Sequence, residues 1–132
     1  MACVDIAIEE QVQPTSGEEW MTLKIQEKLI GKGQKTFLVA ELSANHQQKF
    51  EVAIKTIQAA KECGFDAIKL QTYTADTLTI DSHEEYFQIK SGSLWDGRTL
   101  YDLYKEAYTP WEWQPKLKKY AEQLGLICFP LP

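Results

Sequence analysis

The sequence predicts an α/β chain of about three parallel strands joined by crossover helices and preceded by a small β-hairpin. Three observations carry that expectation. Apolar runs of strand length recur along the chain, FLVAEL at 37–42, DAIKLQT at 66–72 and LICFP at 126–130. Between them lie segments whose apolar residues fall at helical spacing. The order strand, helix, strand, long loop, helices, strand then amounts to two successive βαβ crossovers, which bring strands parallel through right-handed connections. The nearly continuous apolar character of the strands agrees, because helices cover the faces of a parallel sheet.

Each element follows from its local residues. Residues 1–20 show no strong period and include Pro14-Thr15-Ser16-Gly17, a loop signal. From Met21, TLKIQEKLIGKGQKTF holds two short alternating stretches suited to a hairpin, with Gly31 and Gly33 near its end. Residues 48–63 place Phe50, Ile54, Ile57 and Ala60 on one helical stripe, and Gly64 follows as a stop. The stretch 73–98 lacks a sustained period and is longer than an unstructured connection usually runs, so it reads as a segment that covers a site. Residues 98–108 read as helix, with Leu100, Leu103, Tyr104 and Ala107 on one stripe. Thr109-Pro110-Trp111-Glu112 has the capping-box pattern, with proline at the first helical position and Tyr108 and Trp113 placed as a staple. That helix is expected to run to about Leu124 and stop at Gly125, with a kink at Pro115 in its second turn. The tryptophans at 111 and 113 read as staple and core.

Composition narrows the function. At 132 residues, 44% hydrophobic and 25% charged, the chain is sized for one globular domain able to bury a core. A net charge of −5 without a basic cluster argues against nucleic acid as partner. No apolar run approaches the roughly 20 residues of a membrane helix. The acidic N-terminus does not resemble a signal peptide, so a cytoplasmic location is expected. Cys3, Cys63 and Cys128 include no Cys-x-x-Cys pair, which supports neither a zinc site nor a disulfide framework. Cys63 and Cys128, in apolar surroundings, read as buried, reduced thiols.

Strand alternation locates the chemistry. In the first strand Phe37, Val39 and Glu41 share a face, while Leu38, Ala40 and Leu42 form the greasy face expected against the helices. In the second, Ala67, Lys69 and Gln71 oppose Ile68 and Leu70. Glu41, Lys69 and Gln71 thus meet near the C-terminal ends of neighbouring strands, where parallel α/β folds bind ligands. An ion in a dry interior is costly unless partnered. Spacing alone leaves two readings open: an ion pair between Glu41 and Lys69, or an anion site with Lys69 as its fixed charge. Asn45 and His46 follow the first strand; a lone loop histidine is more often solvated than catalytic. His83 reads as surface.

The motifs AELSANH (40–46), AIKLQTYT (67–74), SLWDGRTLYDLY (93–104) and AYTPWEW (107–113) resemble the N-terminal part of the nonulosonic (sialic) acid synthases. The first two are similar to the family at large; the Leu94-Trp95-Asp96-Gly97 loop and the Thr109-Pro110-Trp111 helix start resemble its pseudaminic acid branch. The resemblance spans about residues 22–129, and Met21 resembles the family's usual start, so 1–20 is expected to be an unmatched extension and 21–132 the N-terminal part of a (β/α)8 TIM barrel. It implies condensation of phosphoenolpyruvate with an amino-sugar aldehyde, 2,4-diacetamido-2,4,6-trideoxy-L-altrose in this branch, giving pseudaminic acid and phosphate. It implies a divalent metal, Mn or Mg, polarising the aldehyde, and a homodimer. Carried over by motif, Glu41 is the catalytic position and holds a metal-bound water, Lys69 contacts phosphoenolpyruvate, Gln71 faces the sugar, and Asn45, His46 and Tyr73 line the mouth.

Two departures qualify this. Three strands do not close an eight-stranded barrel, and the family's metal-binding histidines match nothing in this chain. The family's third strand ends Phe-Ser-Thr-Pro-Phe, whereas this one reads Phe129-Pro130-Leu131-Pro132, without the hydroxyls near the phosphate. A one-base deletion in such codons would produce that ending. The chain is therefore expected to be an inactive N-terminal fragment with exposed apolar surface and a tendency to associate. The other readings are a fragment of an N-acetylneuraminate or legionaminate synthase, and a small non-catalytic α/β binding domain.

Overall fold

The computed structural model describes residues 8–11, 22–90, 92 and 95–131, with 8–11 and 130–131 described by backbone alone. Cys3, the loop signal at 14–17, Met21, Leu94, Pro132 and the side chains of Pro130 and Leu131 lie outside that description. The chain divides into two compact units, 1–38 and 39–132.

In the first unit, β1 (Ile8–Gln11), β2 (Thr22–Ile25) and β3 (Lys28–Ile30) form an antiparallel sheet in that order. The expected hairpin is β2–β3, with Leu23 opposite Ile30 and Ile25 opposite Lys28. Its two-residue connection starts at Gln26, whose φ of 51° supplies the left-handed turn that matches the twist of paired strands. β1 was not expected, because the residues before β2 carry no period. Leu38, expected against the helices, is 39% exposed. It lies one residue before Val39–Leu42, the first strand of the second unit, outside the sheet that the helices cover.

The second unit contains β4 (Val39–Leu42), α1 (Phe50–Glu62), β5 (Ala67–Gln71), α2 (Ala75–Leu78), α3 (Leu100–Glu106), α4 (Gln114–Gln123) and β6 (Ile127–Leu131), with single 3₁₀ turns at Glu85–Phe87 and Trp111–Trp113. The strands form a parallel sheet in the order β4-β5-β6, as expected of two βαβ crossovers. One side of the sheet buries Leu42, Ile68, Leu70 and Cys128 against Ala53, Ile57 and Ala60 of α1 and Leu117 and Ala121 of α4. Of the stripe expected on α1, Ile57 and Ala60 are buried and Phe50 and Ile54 are partly buried against the core, with Ala53 buried beside them.

Both long helices end alike. Beyond α1, Gly64 (φ 83°) donates to Lys61 O and Phe65 to Ala60 O; beyond α4, Gly125 (φ 71°) donates to Glu122 O and Leu126 to Ala121 O. These paired bonds satisfy the last helical carbonyls and turn the chain directly into β5 and β6. Gly64→Ala is expected to destabilise the chain by about 1 kcal/mol in urea melts, because the strain is in φ and nothing lies near the added methyl.

Four local expectations are corrected. Thr109 does not cap an α-helix: residues 111–113 form a 3₁₀ turn and α4 begins at Gln114. Pro115 then falls in the first turn, where no helical bond is lost and no kink arises. Trp111 is 49% exposed, whereas Trp113 packs on the core and meets the Phe50 ring edge-on at 5.3 Å. Cys63 is exposed, since it caps α1 one turn past Ala60 and is rotated off the apolar stripe; Cys128 is buried, which pushes its thiol up to about 12. Within 73–98 the chain is partly ordered by α2, the Glu85–Phe87 turn and a bridge between Gln88 and Thr99. His83 is exposed, as read.

Candidate functional site

β4 and β5 run in register with Glu41 opposite Lys69, and alternation turns both side chains to the face away from the helices. Lys69 Nζ lies 3.1 Å from Glu41 Oε2, and Gln71, two residues further along β5, donates from Nε2 to Glu41 Oε1 at 2.8 Å. The ion-pair reading is therefore realised. The pair is not in a dry interior: the Lys69 and Glu41 side chains are 29% and 41% exposed. The Lys69 ammonium, helped by Gln71 and Ser43, holds the Glu41 carboxyl below the ordinary carboxylate range. A lowered value means that the pair is intact at neutral pH and is lost only as pH falls through that lowered value.

Past the strand ends, a cavity of about 930 Å³ opens between the loop after β4 and the C-terminal end of α3. Asn45, Gln71 and Tyr73 line it, whereas His46, carried over with Asn45 and Tyr73 as a mouth residue, does not. Gln71 thus joins the ion pair beneath to the cavity above. The stretch expected to cover a site contributes Trp95 to the wall, and α3 contributes Leu103 and Tyr104.

His46 takes a different place. It is fully buried, with Nε2 3.1 Å from Thr109 Oγ1 and its ring 5.2 Å from that of Trp113. Burial lowers its tendency to protonate, and Nδ1 has no hydrogen-bond partner among the described residues. The solvated-loop reading fails because the backbone turns inward here. Gln47 and Gln48 adopt left-handed φ values of 52° and 55°, and Lys49 N bonds to His46 O at 2.9 Å.

The same turn delivers a contact that no motif announced. Gln48 Nε2 donates to Glu106 O at 3.0 Å and also to Tyr108 O, while the Tyr73 hydroxyl donates to Ala107 O. Three consecutive carbonyls at the C-terminal end of α3 are thereby held by two side chains from the strand-end loops. A glutamine in a polar loop gives no sequence signal for this role.

The resemblance implies a divalent metal, and the described residues do not fit one. No group of three His, Cys, Asp or Glu among them is arranged to hold an ion, and the Glu41 carboxylate is taken by Lys69 and Gln71. No helix among the described residues is long and apolar enough to cross a membrane.

Comparison with known proteins gives consistent matches. Residues 56–132 match the NeuB family. The chain is 52% identical over 99 residues to the pseudaminic acid synthase of Campylobacter jejuni, covering 75% of this chain and 29% of that protein. It is 47% identical over 95 residues to the pseudaminic acid synthase of Helicobacter pylori, covering 72% and 28% respectively. Among solved structures, the N-acetylneuraminic acid (sialic acid) synthetase of Leptospira borgpetersenii superposes with a TM-score of 0.63 at 20% identity, covering 83% of this chain and 33% of that one. That likeness concerns the fold, and the βαβ units described above are part of such a TIM barrel. The chain spans less than a third of the length of the curated relatives named.

Proposed function

The chain belongs to the NeuB family, and from that premise we propose that it carries the phosphoenolpyruvate-binding side of a pseudaminic acid synthase-type site. The observation that carries this reading is the linked trio of Glu41, Lys69 and Gln71 at the C-terminal ends of two parallel strands, beside the cavity. In the reaction of the whole site, C3 of phosphoenolpyruvate bonds to the sugar aldehyde carbon, whose oxygen takes a proton. Water adds at C2, and phosphate leaves as the ketone forms. Lys69 counters the charge of phosphoenolpyruvate; its ammonium has three donors and serves Glu41 and an anion together. Glu41, held ionised, is an acceptor suited to orienting the water. Gln71 reaches from that pair towards the sugar. The identities of 52% and 47% favour 2,4-diacetamido-2,4,6-trideoxy-L-altrose as that sugar. A divalent metal belongs to this reading, but the described residues offer it no ligand set and no step here is assigned to it. The 132-residue chain is proposed to bind without turning over.

Calorimetric titration of the chain with phosphoenolpyruvate tests this. Lys69→Met is expected to weaken binding at least about tenfold. Glu41→Gln, which removes a like charge beside the anion, is expected not to weaken it. Equal binding by the wild-type chain and Lys69→Met would overturn the assignment of Lys69. Phosphate release that needs both sugar and metal would overturn the inactivity.

A further inference from the structure

We propose that the order of α3 is coupled to ligand at the strand ends, and that Gln48 is the positioning residue that couples them. This rests on the synthase reading and deepens it, by adding a conformational response to the site that holds phosphoenolpyruvate.

The two ends of α3 are built differently. At its start the Thr99 hydroxyl accepts from Asp102 N at 3.1 Å, a cap supplied by the adjoining sequence. At its finish no glycine follows, and Ala107 takes the cap position with a φ of −100°. The other two long-range supports of a helix are missing as well: none of the α3 residues is buried, and no left-handed residue closes it as Gly64 and Gly125 close α1 and α4. Its last carbonyls are instead held from a distance. Gln48 takes those of Glu106 and Tyr108, and Tyr73 takes that of Ala107. Two helices end on devices of their own sequence; this one ends on the loops of the site.

The segments that grip α3 also grip Glu41. Ser43, in the same loop as Gln48, and Gln71, just before Tyr73, both bond the Glu41 carboxylate beside Lys69. The loop after β4 has, moreover, a conditional shape. Gln47 and Gln48 sit at φ values of 52° and 55°, a left-handed backbone that is costly for a residue with a side chain. Such a backbone persists only where its surroundings fix it. Here the fixing partners are the carbonyls of Glu106 and Tyr108 for Gln48 and the hydroxyl of Thr109 for His46. Loop and helix end therefore order together or loosen together. An anion settled on Lys69 orders the loops and so lowers the cost of ordering α3. By reciprocity, an ordered α3 tightens the anion.

The test is amide hydrogen exchange of the 132-residue chain with and without phosphoenolpyruvate, alongside calorimetric titration. In the wild-type chain phosphoenolpyruvate is expected to slow exchange at residues 104–107 about fivefold or more. Gln48→Met is expected to speed exchange there without ligand, to abolish the ligand's effect on it, and to weaken phosphoenolpyruvate about fivefold. Gln48→Gly relieves the left-handed backbone but also lacks the amide, so it is expected to behave like Gln48→Met. Phosphoenolpyruvate binding that Lys69→Met weakens, without slower exchange in α3, would overturn this proposal and leave the synthase reading standing. So would a Gln48→Met chain in which phosphoenolpyruvate binds as before and still slows α3, because Gln48 would then be a structural cap alone. Failure of phosphoenolpyruvate to bind the folded wild-type chain would overturn both. If Gln48→Met does not fold, Gln48→Gly and Tyr73→Phe, which removes only the hydroxyl bonded to Ala107 O, decide.

Discussion

Replacing Ile57 by alanine is expected to cost about 2–5 kcal/mol, the largest loss from any single substitution considered for this chain. Ile57 is fully buried at the centre of the α1 stripe, within the cluster that joins Leu42, Ile68 and Leu70 of the sheet to Leu117 and Ala121 of α4. Truncation removes the transfer energy of the lost carbons and leaves a void that the sheet and α4, packed around it, prevent from closing. A small domain has about 5–15 kcal/mol in all, so the loss is a large part of it. Urea unfolding followed by circular dichroism is expected to show a lower midpoint with an unchanged slope. A loss below about 1 kcal/mol would show that α1 is not packed as described.

The second large effect is expected at His46. His46→Phe keeps a ring beside Trp113 but leaves the hydroxyl of Thr109, itself 2% exposed, without its partner. Stranding a buried polar group costs about 1–3 kcal/mol, whereas removing both partners is nearly neutral. The double variant His46→Phe with Thr109→Val is therefore expected to recover most of the loss. Additive losses would show that the 3.1 Å contact is not a stabilising bond. The variant also has a pH signature. Because burial lowers the folded-state pKa of His46 from the ordinary 6.5, the unfolded chain takes up the proton first as pH falls. Stability is thus fully present above that ordinary value and declines towards the lowered one. The wild-type chain should lose more stability than His46→Phe between roughly pH 7.5 and pH 5.5.

The fold was legible where one physical signal dominated. Period-two alternation placed Glu41 and Lys69 on one face, and the register of β4 with β5 sets them directly opposite. The α1 stripe and the two glycine stops were readable because apolar spacing and left-handed caps depend on neighbours in sequence. Signals with two outlets misled. Thr109 has the side chain of a helix cap, but its hydroxyl is used by a histidine 63 positions away, so the turn at 111–113 tightens and α4 starts later. Cys63 and Trp111 lie among apolar neighbours in sequence, yet burial depends on which way a helix end points. Of the site, strand alternation put Gln71 near the strand ends and the motif resemblance singled out Asn45 and Tyr73, and all three line the cavity. His46 does not, because no local pattern reports the inward turn made by Gln47 and Gln48. Gln48 acts through carbonyls 58 and 60 positions away, and such pairings are written in three dimensions only.

The tie between the strand-end loops and the carbonyls of Glu106, Ala107 and Tyr108 has a consequence for how this sequence can change. A residue inserted between 43 and 49 would carry the Gln48 amide away from two carbonyls at once, and substituting Tyr73 would release the third. These three segments are therefore tolerant of change only together, as a set inherited whole. Among the described residues, those from 79 to 90 make no bond to those carbonyls. Novelty should accumulate there, on a stretch that can be redrawn while the tie stays fixed.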